Sequence, residues 1–310
     1  SLGTQTRNPG MEPFAAIIGR IPHAYDLSRE DTETSPAFGL QWHVSKDSML
    51  YVSYSEGFKA GGFDAQNTAG MLALAEFDPE EAEAWEVGGK FTLADGRVKL
   101  NLAYFDNEFT DLQVAAFNGL VFSTTNAASA SSSGLELDVQ WLALEAFTVG
   151  LNAAWLDAEY DDFPGSTCTA PQQNAHAAAT GNPPGSCIQD LSGNDLQFSP
   201  DFAANLNAVY ETQIGENLVL TIQGEVNHSS SYFTAQDLDP LSEQNSYTKL
   251  NARVALASQQ GGWSIALVGK NLTDEETTTW VNDVPVFRGA YFGFIDPPRT
   301  VGVQVQFAIH

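Results

Sequence analysis

The stretch "VKLNLAYF" at residues 98–105 alternates: Val98, Leu100, Leu102 and Tyr104 are separated by Lys99, Asn101 and Ala103. Successive side chains of an extended chain point to opposite faces, so this is a strand with one apolar and one polar face. The same rhythm recurs on both sides of it. Leu135, Leu137, Val139 and Trp141 alternate with Glu136, Asp138 and Gln140, and Leu218, Leu220, Ile222 and Val226 face away from Thr221, Gln223, Glu225 and Asn227. Val301, Val303, Val305 and Phe307 alternate with Gly302, Gln304 and Gln306 near the end. About eleven such strands are present, with "FAAIIGR" at 14–20 as a candidate twelfth.

The connections carry more information than the strands. Short ones fall at 45–47, 94–96, 143–146, 214–217 and 259–262. Long ones fall at 57–80, 161–193, 235–243 and 281–288, and only the link near 117–120 breaks the length rule. Short and long therefore alternate, and successive strands run antiparallel with tight turns at one end and large loops at the other.

A soluble β-sandwich also alternates, but three features oppose it. Greek-key connections would not sort turns by length so regularly. Segments 97–117, 120–142 and 262–280 read as strands long enough to cross a bilayer at a tilt and project beyond it. The polar faces carry Lys99, Glu136, Asp138, Glu225, Arg253 and Lys270, and burying each unpaired charge in a sandwich core would cost several kcal/mol. A wet lumen holds them at little cost while the apolar face meets lipid. Trp42, Tyr54, Trp85, Tyr104, Trp141, Trp155, Tyr210 and Trp263 share the apolar register, as interfacial rings do. The expected fold class is all-β, an antiparallel transmembrane β-barrel.

The chain has 310 residues, 39 acidic against 13 basic, and a formal net charge of −26. So acidic a surface repels phosphates, which argues against a nucleic-acid partner. The two cysteines, Cys168 and Cys187, flank a Pro/Gly/Asn-rich insertion that reads as irregular, "TAPQQNAHAAATGNPPGS". A disulfide in an oxidising compartment is favoured over two free thiols or half a metal site. "SLGTQTRNPG" lacks a basic-then-apolar leader. No G-x-S-x-G, H-E-x-x-H or phosphate-binding glycine loop occurs. His23, His43, His176, His228 and His310 are scattered. No catalytic residue, cofactor or metal site is assigned, and only "NHSSSY", with His228 and Ser229, hints at a hydrolase. Acidic clusters such as "FDPEEAEAWE", "LDAEYDDF" and "DLDPLSE" read as solvated loop ends or as sites for cations bridging lipopolysaccharide.

Collinear segments of the chain resemble one family. "YVSYSEGFKAGGFD", "EAEAWEVGGKFTLADGRVKLNLAYFDNEFTDLQV", "TTNAASASSSGLELDVQW", "YTKLNARVAL", "WSIALVGKNLTDEE" and "DPPRTVGVQVQF" are similar to the barrel of TonB-dependent outer-membrane receptors, closest to the ferric-siderophore type. The likeness spans residues 25 to 307 and implies the C-terminal half of a barrel of about 22 strands, with the N-terminal plug and the first strands outside this chain. It implies residence in the outer membrane of a Gram-negative bacterium and no covalent chemistry. The implied partners are a ferric siderophore or similar small ligand, lipid and lipopolysaccharide, and the TonB-ExbB-ExbD complex through the plug. A passive porin, a surface adhesin and an outer-membrane hydrolase are the alternatives. An open sheet in lipid leaves backbone groups unpaired at its edges, so the chain is expected to pair with further strands or to close as a small barrel of about twelve.

Within that reading, "EGFKAGGFD" at 56–64 is a strand leaving the membrane, with Gly57, Gly61 and Gly62 allowing a sharp exit. The expected ligand contacts are loop and rim aromatics and scarce cations: Phe58, Lys59, Phe63, Trp280, Phe287, Arg288, Tyr291 and Phe292. Aromatic faces and a guanidinium suit a catecholate- or hydroxamate-type iron chelate.

Overall fold

The computed structural model of the protein describes residues 26–64, 76–117, 122–182, 186–284 and 289–308. The candidate strand at 14–20, Phe287 and Arg288 lie outside these residues. The first half of the fold runs β1 (Ala37–Ser45), β2 (Ser48–Lys59), β3 (Gly62–Phe63), β4 (Glu76–Phe77), β5 (Glu80–Leu93), β6 (Val98–Phe117), β7 (Phe122–Leu144) and β8 (Phe147–Asp162). A short strand β9 (Ser166–Thr167), helix α1 (Ala170–Thr180) and β10 (Ile188–Gln189) follow. The chain then forms β11 (Phe202–Ile214), β12 (Leu218–Ser229), β13 (Tyr232–Phe233), β14 (Glu243–Gln244) and β15 (Tyr247–Ser258). It ends with β16 (Trp263–Lys270), β17 (Thr278–Asp283), β18 (Tyr291–Ile295) and β19 (Thr300–Phe307).

Eleven of these make one sheet in the order β1-β2-β5-β6-β7-β8-β11-β12-β15-β16-β19, every neighbour antiparallel. Sequence order and spatial order coincide, as the alternating connection lengths require. The eight remaining short strands form four separate pairs in the long loops. Among the described residues, the outer edges of β1 and β19 have no further strand beside them.

The two faces differ as the alternation dictates. Leu102 and Tyr104 are more than 40% exposed on the convex face, with Trp85, Val87, Leu135, Trp141 and Trp155 on neighbouring strands. A wall one sheet thick has no core, so its apolar side chains stay bare until lipid covers them. Near the loops, Phe38, Tyr54 and Trp85 form a row across β1, β2 and β5, with ring centroids 5.1 Å and 4.7 Å apart. Trp155 and Phe202 meet at 5.1 Å. Trp141, beside the turns, pairs with Val149, six residues from Trp155, or roughly 20 Å along the strand. Above Trp85 the convex face changes chemistry at once. Glu56, Glu83 and Glu108 stand directly opposite one another on β2, β5 and β6. Three aligned carboxylates do not face hydrocarbon, so this row marks the upper limit of the membrane band.

β6 and β7, at 20 and 23 residues, rise well past that row. The only buried cluster among the described residues lies at this height and joins Val114, Ala128, Ala130, Tyr160, Phe163 and Leu191, with Phe109, Leu112, Leu196 and Leu238 against it.

Three expectations need correction. The strand read over 262–280 stops at Lys270, because Asn271 (φ 49°) and Asp274 (φ 61°) turn left-handed and the chain leaves the sheet. The insertion read as irregular contains α1. Its Thr169 and Gln172 make a reciprocal capping box, and Gly181 ends it at φ 73°. Third, Gly57 is no exit: it pairs with Ala82 inside β2. Gly61 and Gly62 are required by close approach instead. A Cβ on Gly61 would lie 2.5 Å from the Phe77 carbonyl oxygen and 2.6 Å from Arg29 Cζ, and one on Gly62 would lie 2.7 Å from the Phe77 ring.

Leu102→Arg, on the convex face, is expected to lower stability in lipid by about 2–4 kcal/mol, whereas Asn101→Arg on the concave face is tolerated. Denaturant titration in phospholipid vesicles measures both; equal losses at the two positions would refute the assignment of faces.

Candidate ligand-binding mouth and concave wall

The concave face is polar because it does not meet lipid. One register row crosses seven strands: Lys90, Asn101, Asp138, Asn152, Asn205, Asn227 and Lys249. Neighbours in it hydrogen-bond directly. Asn101 Nδ2 donates to Asp138 at 3.0 Å, and Asn205 Nδ2 donates to Asn227 Oδ1 at 2.6 Å and to Glu225 at 2.7 Å. Tyr51 donates to Glu86 at 2.5 Å on the same face. The wall curves around a space of about 810 Å³ whose upper lining includes Phe198, Tyr232 and Tyr247. Amides both donate and accept, so the surface suits contact with a polar body or with water rather than reaction chemistry.

Above the wall, three long loops knit into one layer. Cys168 and Cys187 are joined, with Cα atoms 5.5 Å apart, and close the loop that holds α1. Gln173 Nε2 donates to the Cys168 carbonyl at 2.8 Å, tying the helix to that staple. Gln189 Nε2 donates to the Asp237 carbonyl at 2.8 Å, and the Phe198 amide donates to the Phe233 carbonyl at 2.8 Å, so this loop is fixed to the next. The β13–β14 loop in turn holds the β17–β18 hairpin. Fully buried Thr234 donates to the Ser242 carbonyl and accepts from the Val281 amide at 3.2 Å. Gln244 accepts from the Thr278 amide at 2.5 Å. Buried Asp239 accepts from the Leu241 amide and from the Tyr291 hydroxyl at 3.0 Å. Lys249 at the hairpin's base donates to Asp296 at 2.6 Å, which holds that carboxyl below its ordinary range.

Asp237, Asp239 and Asp283 crowd this seam. Burial raises the Asp237 pKa from 3.8 to about 6, against the hydrogen bond from the Asp239 amide and with help from the Asp239 and Asp283 charges. Burial also raises Asp283, and burial and the bond to Asp239 raise Tyr291.

The first long loop is tied down separately. Arg29 donates to Asp31 at 2.7 Å, Glu76 at 2.9 Å, the Phe77 carbonyl at 3.1 Å and Asp78 at 3.1 Å. Gln113 Nε2 donates to the Ala60 and Asp78 carbonyls, and Asn126 Nδ2 to those of Asp78 and Asp111.

The expected contact residues do not gather in one place. Trp280, Tyr291 and Phe292 share the β17–β18 hairpin, where Trp280 meets Phe292 edge-on at 5.1 Å and stacks with Phe294 at 6.0 Å. Phe292 and Phe294 are exposed. Phe58 continues the convex register of Leu50, Val52 and Tyr54, so it lies on the lipid-side face. Lys59 pairs with Glu80 at 3.5 Å, and half-buried Phe63 sits in the β3–β4 pair. His228 and Ser229 are successive strand residues on opposite faces. The imidazole bonds Thr248 while the hydroxyl donates to the Ser230 carbonyl, so they form no catalytic pair.

Sequence reasoning missed Arg29, although the scarcity of positive charge that singled out Lys59 and Arg288 applied to it equally. It also missed Asp239, whose place before Pro240 is the signature of the helix cap it forms.

Two outcomes follow. Arg29→Gln leaves Asp31, Glu76 and Asp78 facing one another, and amide exchange at residues 61–63 and 76–78 is expected to speed at least ten-fold; unchanged exchange would discount the clamp. For Asp237 the folded pKa lies above the unfolded one. The contribution of Asp237 to the seam is therefore fully present below pH about 4 and is lost as pH rises through about 6. Exchange at the Thr234 and Leu238 amides, corrected for intrinsic rate, should speed between pH 5 and 7.5, and Asp237→Asn should flatten the dependence. A pH-independent wild type contradicts this.

Residues 8–272 match the family described as TonB dependent receptor-like, beta-barrel. The metal-pseudopaline receptor CntO of Pseudomonas aeruginosa is 29% identical over 137 residues, 43% of this chain and 18% of that protein. The pesticin receptor of Yersinia pestis is 26% identical over 117 residues, 38% and 17% respectively. These matches span less than a fifth of either relative. Among solved structures, the ferric yersiniabactin uptake receptor FyuA from Yersinia pestis superposes with a TM-score of 0.68 at 19% identity, over 87% of this chain and 36% of that one. The siderophore receptor PiuA from Acinetobacter baumannii gives 0.64 at 18% identity, over 87% and 35%. The one-sheet wall, its aromatic band and its one-sided loops agree with that match: the chain belongs to the TonB-dependent receptor β-barrel family and lies in the outer membrane of a Gram-negative bacterium.

Proposed function

We propose that this chain forms wall and outer mouth of an active-uptake receptor that binds an extracellular ligand, a ferric siderophore in kind, for TonB-energised import. The observation that carries this reading is the layer formed by the described residues of 161–199, 232–244 and 278–295, hydrogen-bonded into one roof beside a polar concave wall. A passive pore has little use for a roof held by so many directed bonds. The siderophore and metal receptors among its relatives point the same way. In this reading the concave amide row packs against a plug supplied by the N-terminal part of the receptor, which also reaches the TonB-ExbB-ExbD complex. Outer-leaflet lipid and lipopolysaccharide lie along the convex face.

Ligand contact is assigned to Trp280, Tyr291 and Phe292, and to Phe287 and Arg288, which precede Tyr291 in the sequence. Lys59 and Phe63 lie across the mouth, and Phe58 stands just above the glutamate row on the outward face of the rim. Cys168 and Cys187 keep their loop folded outside the cell. The protein does no covalent chemistry.

In the full receptor, Trp280→Ala with Phe292→Ala is expected to weaken binding of the cognate iron chelate about ten-fold or more. Radiolabelled iron uptake should cease without TonB. Uptake that continues without TonB would instead support the porin.

A further inference from the structure

Resting on the uptake-receptor reading, we propose that the chelate received by this mouth carries no net negative charge. It is a ferric tris-hydroxamate, neutral or bearing a free ammonium, and not a ferric tris-catecholate. The chemistry separates the two. Each hydroxamate brings one negative charge to iron(III), so three leave the complex neutral and an ammonium on the chain makes it positive. Each catecholate brings two, so three leave a trianion.

The charge of the chain is concentrated where the ligand arrives. The described residues within 26–36, 56–83, 106–133, 157–201, 230–249 and 270–299 form the loop side and hold 29 acidic residues against five basic. The other described residues hold nine against five. The few loop-side cations are largely spent on internal pairs. Arg29 serves three carboxylates, Lys59 pairs with Glu80, Lys249 with Asp296 at 2.6 Å and Arg299 with Asp274 at 3.0 Å. Among the described residues of this side, Lys270 alone stands outside an ion pair.

Next to the ring group of Trp280 and Phe292, the described residues of the seam offer Asp237, Asp239 and Asp283 rather than a cation, and one oxygen of Asp283 is buried with no hydrogen-bond partner. Aromatic faces beside carboxylates attract an ammonium and repel a trianion. A mouth of one sign also steers ligands of the other, changing association rates 10- to 1000-fold with strong dependence on salt.

The test uses the full receptor in lipid nanodiscs and three probes: a linear ferric tris-hydroxamate with one free ammonium, an uncharged ferric tris-hydroxamate, and a ferric tris-catecholate. The ammonium-bearing hydroxamate should associate faster as salt is lowered and the catecholate more slowly. Neutralising four exposed carboxylates in this chain (Asp162→Asn, Asp195→Asn, Glu243→Gln and Glu276→Gln) should slow the positive probe about three- to ten-fold. It should leave an uncharged tris-hydroxamate unaffected. Tighter or salt-accelerated binding of the catecholate overturns the charge assignment while leaving the receptor reading intact. If neither class of chelate binds, the tris-hydroxamate assignment falls, while the uptake reading is decided separately by whether iron uptake depends on TonB.

Discussion

Every amide in a membrane-crossing strand must be paired, because hydrocarbon offers no substitute for water and each unpaired group costs several kcal/mol. This requirement shapes the rest of the molecule. It joins the eleven long strands edge to edge in chain order, with no crossover to expose a ladder. It also leaves the outer edges of β1 and β19 as surfaces that need neighbours in lipid. Side chains are then sorted by face, apolar outward and amide inward, with no core required between them.

Once the strands leave lipid the constraint relaxes and a second kind of structure takes over. There the chain can afford a helix, two-residue strands, left-handed turns and a buried cluster, all stabilised by water exclusion and by directed bonds to loop carbonyls. The seam of Asp237, Asp239 and Asp283 belongs to this region, where carboxylates are close enough to shift one another but remain near solvent.

The barrel wall was legible in the sequence because period-two alternation at Val98–Tyr104 or Leu135–Trp141 reports a face directly. The family likeness agreed with it. What was not legible had a common cause. The end of β16 is set by backbone dihedrals at Asn271 and Asp274, residues that also tolerate strand conformation. Helix α1 hides between Pro/Gly-rich segments, and only the Thr169-to-Gln172 spacing announces it. Of the expected contact residues, Trp280, Tyr291 and Phe292 share one hairpin, whereas the side on which Phe58 falls depended on β2 running through Gly57.

β6 and β7 keep their ladder intact far above the aligned glutamates of β2, β5 and β6, while β16 and β19 are only eight residues long. Strand length is therefore a poor ruler for bilayer thickness in this protein. The waterline is drawn by a switch in outward side-chain chemistry, from Tyr54 and Trp85 to Glu56 and Glu83 within a single pleat, and the tall strands stand above it like a stiff palisade on one side of an uneven rim.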